Sequence, residues 1–507
     1  MAGLAREIVA SSYFATSGAF SAFTLAFQVP NLIRSLFADA ALSAAFVPVF
    51  TELLEKHQRK EAYKLASTLF FLIVAVLSTI TVLFIVVAPT VMPWFTGDSF
   101  DRQLDELTGG LAQVMFPIVV LLGVNGLLVG ILNAYDHFTI PALSPVVWNL
   151  VIIAFLVFGR SWFEGDDELY AYAVGVVVGT VVQLLMAIPV LRRLGFKLEL
   201  SFDLKDPRVR QVLILMLPVT IGLGLVNFNL IVNSVLGSLV SEQAPRAIDA
   251  AFRIYMLPQG LFSVAIATVL FPALSRLAAR NDRDGLRALN ATGTRQVFLM
   301  LVPAAALTLV LAEPITRLVY EHGEFGPEDT ELVSSALFWF SFSLPFAGVN
   351  LLLTRTFFSL QRPWTPTKIS VGSLLINAAV SIALYEPFGI PGIVVGTAVS
   401  TAATTGLQAW ALRHELAGRL EAGRTTMAVA RMVLAAALLA VVAYAVHLGL
   451  EELLGTDLVA QALAVGLAVA AGIGAYAVAV LALGVEEARY LRGLIASRVQ
   501  ARRRGGR

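Results

Sequence analysis

The segment PNLIRSLFADAALSAAFVP (residues 30–48) is apolar enough to lie in a membrane, yet it carries Arg34, Asp39 and a proline at each end. It belongs to a longer apolar run over 19–53. Arg34 stands about fifteen residues into that run, roughly 22 Å along a helix that rises 1.5 Å per residue. That is too deep for its head group to reach water easily. A charge at such depth is costly and marks a functional site by default. Asp39, five residues on, does not share a helix face with it. Pairing the two needs a kink near Pro30, or partners on other helices.

The surrounding composition supports a membrane setting. Of 507 residues, 58% are hydrophobic and only 14% charged, against about 25% charged in a typical soluble domain. The mean hydropathy is +0.80. Further apolar runs fall near 65–93, 109–134, 139–159, 170–191, 211–240, 250–275, 296–312, 332–354, 369–385, 391–412, 432–450 and 459–484. Each can cross a hydrocarbon core about 30 Å thick. A stub, IVASSYFA (8–15), adds a truncated or partial first span. The expected fold class is therefore an all-α polytopic membrane protein of about 14 transmembrane helices. Cysteine is absent, which excludes disulfides and thiolate chemistry. Five scattered histidines show no ligand spacing, and no cleavable signal peptide is evident.

Charge orders the spans. The breaks at 55–64, 192–210, 276–295, 355–368, 413–431 and 486–507 hold 29 of the 36 lysines and arginines. The alternate breaks hold Arg102, Arg160, Arg246 and Arg317 among acidic stretches such as FEGDDELY. The positive-inside rule places the basic set, and both chain ends, in the cytoplasm. Trp94, Trp162, Trp364 and Trp410 fall near span ends, where indoles anchor. Three basic residues remain outside this scheme: Arg6, Arg34 and Arg253. Arg253 also reads as an interfacial, snorkelling arginine, and Arg6 as one more cytoplasmic charge. Arginines facing a cavity without balancing acids would bind an anion, and their planar forks suit phosphate oxygens.

Two segments echo each other: AFQVPNLIRSLFADAALSAAFVPVFTEL and AFRIYMLPQGLFSVAIATVLFPALSRL. A six-span repeat of this kind is a known transporter plan. On that plan Pro30, Pro258 and Pro272 bend helices, while Gly260 allows close packing or a hinge. Domain boundaries follow as 1–195 for one lobe, 196–425 for the second, and 426–507 for two extra helices and a basic tail. Polar residues cluster within spans: Asn227, Asn229 and Asn233; Asn377 and Ser381; Thr397, Ser400 and Thr401. They read either as oxygen donors for a hard cation or as interhelical hydrogen-bonding groups.

GLAREI, PNLIRSLFADAALSAAFVPVF, ILNAYDHFTIPALSPVVWN, LPQGLFSVAIATVLFPALSRL and SLQRPWTPTKIS together resemble the MurJ (MviN) family, the bacterial lipid II flippases of the multidrug/oligosaccharidyl-lipid/polysaccharide exporter superfamily. The resemblance covers essentially the whole chain. It implies two six-helix lobes plus two C-terminal helices that form a groove for a polyprenyl tail. It also implies transport of lipid II, the undecaprenyl-pyrophosphate-linked disaccharide-pentapeptide, from inner to outer leaflet by alternating access. By the same resemblance Arg6, Arg34 and Arg253 grip the pyrophosphate, with Glu7 and Asp39 as accompanying acids. A family sodium site maps onto Asn233, Asn377, Ser381, Thr397 and the Ile393 carbonyl; no other cofactor is implied. The family pattern carries a further segment with another cavity arginine ahead of GLARE, so either the true start lies upstream or the first helix is only partial. A helix-two aspartate of the family is Ser21 here, and the sodium-site carboxylates are Asn233 and Ser381, which puts ion coupling in doubt.

The expected protein is thus a monomeric, multi-pass transporter of the bacterial inner membrane. Its partners are lipid II and membrane lipid, not nucleic acid. The alternative is a related exporter of another lipid-linked oligosaccharide or of drugs, although arginines disfavour cationic drugs. A membrane enzyme acting on polyprenyl phosphates would need acids and histidines at catalytic spacing, and none is found, so the expectation is that the chain is not an enzyme.

Overall fold

The computed structural model describes residues 2–37, 40–416, 418, 421–455, 457–490 and 492–493. Asp39 lies outside the described residues, and of Arg34 only the backbone is described. Every regular element among the described residues is helical. The chain forms two compact units, residues 1–249 with 322–326, and residues 250–321 with 327–507.

The first unit starts with α1 (Ala2–Phe14), which stops at Ala15 in a left-handed conformation. Within the apolar run expected as one span over 19–53, the described residues form α2 (Gly18–Phe37) and α3 (Ala40–Glu55). Then come α4 (Arg59–Val91), α5 (Arg102–Met115) and α6 (Ile118–Ala134). Asp101 caps α5 by accepting from the Leu104 N–H at 2.8 Å. Pro117, which lacks a donor, separates α5 from α6. The unit continues through α7 (Thr139–Ala154), α8 (Glu168–Arg193) and α9 (Pro207–Ser238), and includes the start of α10 (Ala244–Pro258). Its core joins α2 to α8 through Phe20, Phe23 and Tyr172, with the last two rings stacked 4.1 Å apart. A second cluster around Phe46, Phe50, Leu65 and Ile131 holds α3, α4 and α6. Gly323, at φ +66°, lets residue 324 donate its N–H to the Ser12 carbonyl at 2.9 Å, returning 322–326 to this unit.

In the second unit a π-helical turn at Gln259–Ser263 interrupts the helix between α10 and α11 (Val264–Ala279). Gly260 sits in that turn, and among the described residues a Cβ there would meet nothing within 4 Å. There follow α12 (Arg283–Val310), the short amphipathic α13 (Ala312–Tyr320), α14 (Pro327–Ser341) and α15 (Leu344–Ser359). α14 and α15 meet at a 50° bend. The unit ends with α16 (Trp364–Phe388), α17 (Ile390–Glu415), α18 (Ala422–Leu454) and α19 (Leu458–Ala482). α18 and α19 meet through small residues, Ala443, Ala468 and Gly472, which let backbones approach. Leu299, Met432, Leu439 and Tyr476 then join α12 to both.

Arg295, expected as a cytoplasmic loop charge, is buried in α12 at 4% exposure. It binds Glu487 through Nε and Glu421 through Nη1 (2.8 Å), fastening α12 to the N-terminus of α18 and to the segment after α19. Among the described residues, ten helical stretches are long and apolar enough to cross a membrane, or eleven with the bent α14–α15 pair. All four tryptophans expected near span ends are exposed there. Both units also end corresponding helices alike: left-handed His57 and Asn281 follow α3 and α11, and left-handed Asp136 and Gln361 follow α6 and α15.

Candidate substrate-binding site and cation pocket

In the first unit, α1 presents Arg6 and Glu7 side by side in a buried setting. Neighbours in sequence point in different directions on a helix, but Arg6 is long enough to fold back onto its neighbour. Its Nη2 lies 2.6 Å and its Nε 3.2 Å from Glu7 Oε1. The guanidinium also stands 5.0 Å above the Trp148 ring of α7. Arg6 is thus a buried, paired group rather than a solvated cytoplasmic charge.

The other oxygen of Glu7 serves a residue that sequence reasoning misplaced. Arg246, expected as an outer loop charge, lies in α10 at 1% exposure. Its Nη1 contacts Glu7 Oε2 at 3.1 Å and Asp249 Oδ2 at 3.0 Å. Its Nη2 donates to Ser11 Oγ at 2.8 Å, and its plane covers the Phe20 ring at 3.9 Å. Ser21, where the family pattern has an aspartate, accepts the Arg246 backbone N–H at 3.2 Å. Two arginines and two acids therefore balance in a buried network, which is the only economical way to keep such charges from water. The signal in the sequence was the set APRAID: Arg246 and Asp249 three apart, on a helix with a strongly polar face.

The other expected substrate residues are distributed as follows. Arg253 lies half-buried in α10, in the second unit. Arg34 and Asp39 belong to the undescribed side chains. Pro30 lies inside α2, Pro258 closes α10 immediately before the π turn, and Pro272 lies inside α11. In the first unit, α2 is tied to α9 by Gln28 donating to Ser234 Oγ at 2.7 Å and Asn31 donating to Asn227 Oδ1 at 2.9 Å.

The expected cation residues divide between the units. Asn233 is buried in α9 of the first. Asn377, Ser381, Ile393 and Thr397 come together in the second, where α16 packs on α17. The Ser381 hydroxyl lies 3.1 Å from the Ile393 carbonyl and 3.3 Å from Asn377 Oδ1. The Thr397 hydroxyl reaches the same Oδ1 at 3.4 Å. Gly396 makes this possible, since a Cβ there would stand 2.0 Å from Ser381 Oγ. These four groups include no carboxylate, and the two hydroxyls lie within hydrogen-bonding distance of the acceptor oxygens a cation would use. A cation would displace those hydrogen bonds with no negative charge in return. The donor set suits a neutral clamp between two helices. Among the described residues no cluster of three or more histidines, aspartates or glutamates could hold a metal.

Comparison with known proteins now bears on the reading. The model of the family described as lipid II flippase MurJ matches residues 10–459. The chain belongs to the MurJ family. A probable lipid II flippase MurJ of Rhizobium meliloti (strain 1021) is 30% identical over 519 residues, covering 98% of this chain and 95% of that protein. The lipid II flippase MurJ of Burkholderia cenocepacia is 30% identical over 402 residues, 78% of each chain. Among solved structures, a lipid II flippase MurJ in an inward closed conformation matches with a TM-score of 0.75 at 20% identity, covering 97% of both chains. An inward-facing multidrug resistance MATE family transporter of the MOP superfamily matches with a TM-score of 0.71 at 15% identity, covering 82% of this chain and 94% of that one. At such identities these two likenesses concern the fold. MurJ membership makes the chain a multi-pass membrane protein of a transporter family.

Proposed function

We propose that the chain carries lipid II from the inner to the outer leaflet of the bacterial plasma membrane, by alternating access. Family membership supports the substrate class. The observation that carries the site is Arg6, a buried guanidinium held by a carboxylate that a second arginine also holds. An arginine tethered this way has a planar fork that suits a pyrophosphate, and its carboxylate does not lose all compensation when the fork is lent out. On this reading Arg6, Arg34 and Arg253 take the pyrophosphate, Glu7 and Asp39 position them, and the polyprenyl tail stays in lipid along α18 and α19. Lobes of residues 1–195 and 196–425 rock about hinges near Pro30, Pro258, Gly260 and Pro272.

Transport of this kind makes and breaks no bond, so the reading assigns no catalysis. The protein works as a monomer, with both chain ends cytoplasmic and no nucleic-acid partner. The neutral composition of Asn377, Ser381 and Thr397 favours membrane potential over a sodium gradient as the driving force. The test is appearance of lipid II on the outer leaflet in cells that depend on this protein. Wild type supports it, and Arg6→Ala abolishes it; flipping at the wild-type rate in Arg6→Ala would overturn the assignment. Rescue of a different lipid-linked polymer without lipid II transport would favour the exporter alternative.

A further inference from the structure

We propose that Arg246 is a positioning residue for anion binding: it holds the Glu7 carboxylate so that Arg6 can be released to an anionic ligand. The proposal rests on the reading of Arg6 given above. Glu7 divides its oxygens, Oε1 to Arg6 at 2.6 Å and Oε2 to Arg246 at 3.1 Å. Arg246 is anchored independently of Glu7, by Asp249, by Ser11 Oγ and by the Phe20 ring. In this arrangement of the helices it therefore stays in place whatever Arg6 does. When a phosphate-type anion takes the Arg6 fork, the Arg6–Glu7 contact must weaken. Glu7 is 2% exposed, and loosening a cation from a carboxylate at that burial is costly. Arg246 lowers that cost, because in this arrangement of the helices Glu7 keeps its charge-assisted hydrogen bond to Arg246 when Arg6 is lent out. The Tyr172 hydroxyl, 3.5 Å from Glu7 Oε1, stands beside the oxygen that Arg6 vacates.

The proposal makes Arg246 act through Glu7, and a double-mutant cycle isolates that coupling. The probe is a polyprenyl pyrophosphate, bound to purified full-length protein in detergent, with thermal unfolding recorded alongside. In the Glu7 background, Arg246→Met should weaken binding by about tenfold or more, since Glu7 then clings to Arg6. In the Glu7→Gln background the same change should cost less than about threefold, because no carboxylate is left to compete. If Arg246→Met does not fold, Arg246→Lys keeps the charge but loses the fork; it should weaken binding in the same direction, and Glu7→Gln should cancel that loss too. Equal losses in both backgrounds would mean a purely structural arginine and overturn the proposal, as would no loss in either. A separate arm tests the underlying reading: Arg6→Ala binding the probe as wild type does would overturn Arg6 as the anion ligand, whatever the Arg246 cycle shows.

Discussion

Arg246 and Arg295 are nearly equally buried, at 1% and 4% exposure, and each faces two carboxylates. They differ in what lies beyond those acids. Behind Glu7 stands a second buried arginine, Arg6, so the carboxylate is shared inside the protein. Behind Glu421 stands Arg424, an exposed residue that water already serves. The Arg295 network joins α12 to the chain before α18 and after α19, and it closes on the protein itself. The Arg246 network includes a guanidinium that can change partners. Burial and pairing alone therefore do not separate the two clusters; what differs is that the carboxylate beside Arg246 is shared with a second buried arginine.

The largest effect that could break this comparison is at Arg295. Arg295→Ala leaves Glu487 buried without its cation, and should lower unfolding stability by about 3–5 kcal/mol. Detergent-solubilised protein followed by thermal unfolding checks it. A stable Arg295→Ala protein that nonetheless fails to bind a polyprenyl pyrophosphate would invert the assignment of the two clusters. Arg6→Ala should do the opposite. Arg246 still holds Glu7, so stability should fall by no more than about 2 kcal/mol, while pyrophosphate binding falls by tenfold or more.

A smaller effect concerns the neutral pocket in the second unit. Replacing potassium by sodium should leave the wild-type melting temperature unchanged. Ser381→Asp supplies the missing charge, and should create a sodium-dependent gain of about 1–3 kcal/mol when the ion is well above its dissociation constant. Sodium stabilising the wild type equally would show that the neutral oxygens suffice. The smallest effect is expected at the surface pair of Lys64 and Asp203, 2.8 Å apart and well exposed to water. The hydrogen bond from Lys64, and then its charge, hold the Asp203 carboxyl below its ordinary value of 3.8. A lowered folded-state value contributes stability that is full above 3.8 and is lost as pH falls through the lowered value. The slight advantage of wild type over Asp203→Asn should therefore be seen near neutral pH and close in acid. An advantage that grew on acidification would contradict this sign.

Much of this was legible in the chain itself. Apolar runs longer than a bilayer needs can only be helices, because each helix satisfies its own backbone groups. Arg6, Glu7, Asn377, Ser381 and Thr397 were all identifiable as polar groups in apolar surroundings. Arg246 and Arg295 were not, because Arg246 opens α10 and Arg295 borders the apolar run at 296–312, places where a charge ordinarily reaches water. A hydropathy pattern cannot report that α1 and α2 cover Arg246, or that the segment after α19 covers Arg295. The sequence by itself determined the fold class, the family and the oxygen and guanidinium groups available, since these depend on composition and local order. The tertiary structure alone decided which charges are buried, which carboxylate two arginines share, and which hydroxyls meet between α16 and α17. Those depend on contacts between residues as far apart as Glu7 and Arg246, whose energies exist only once the helices have packed.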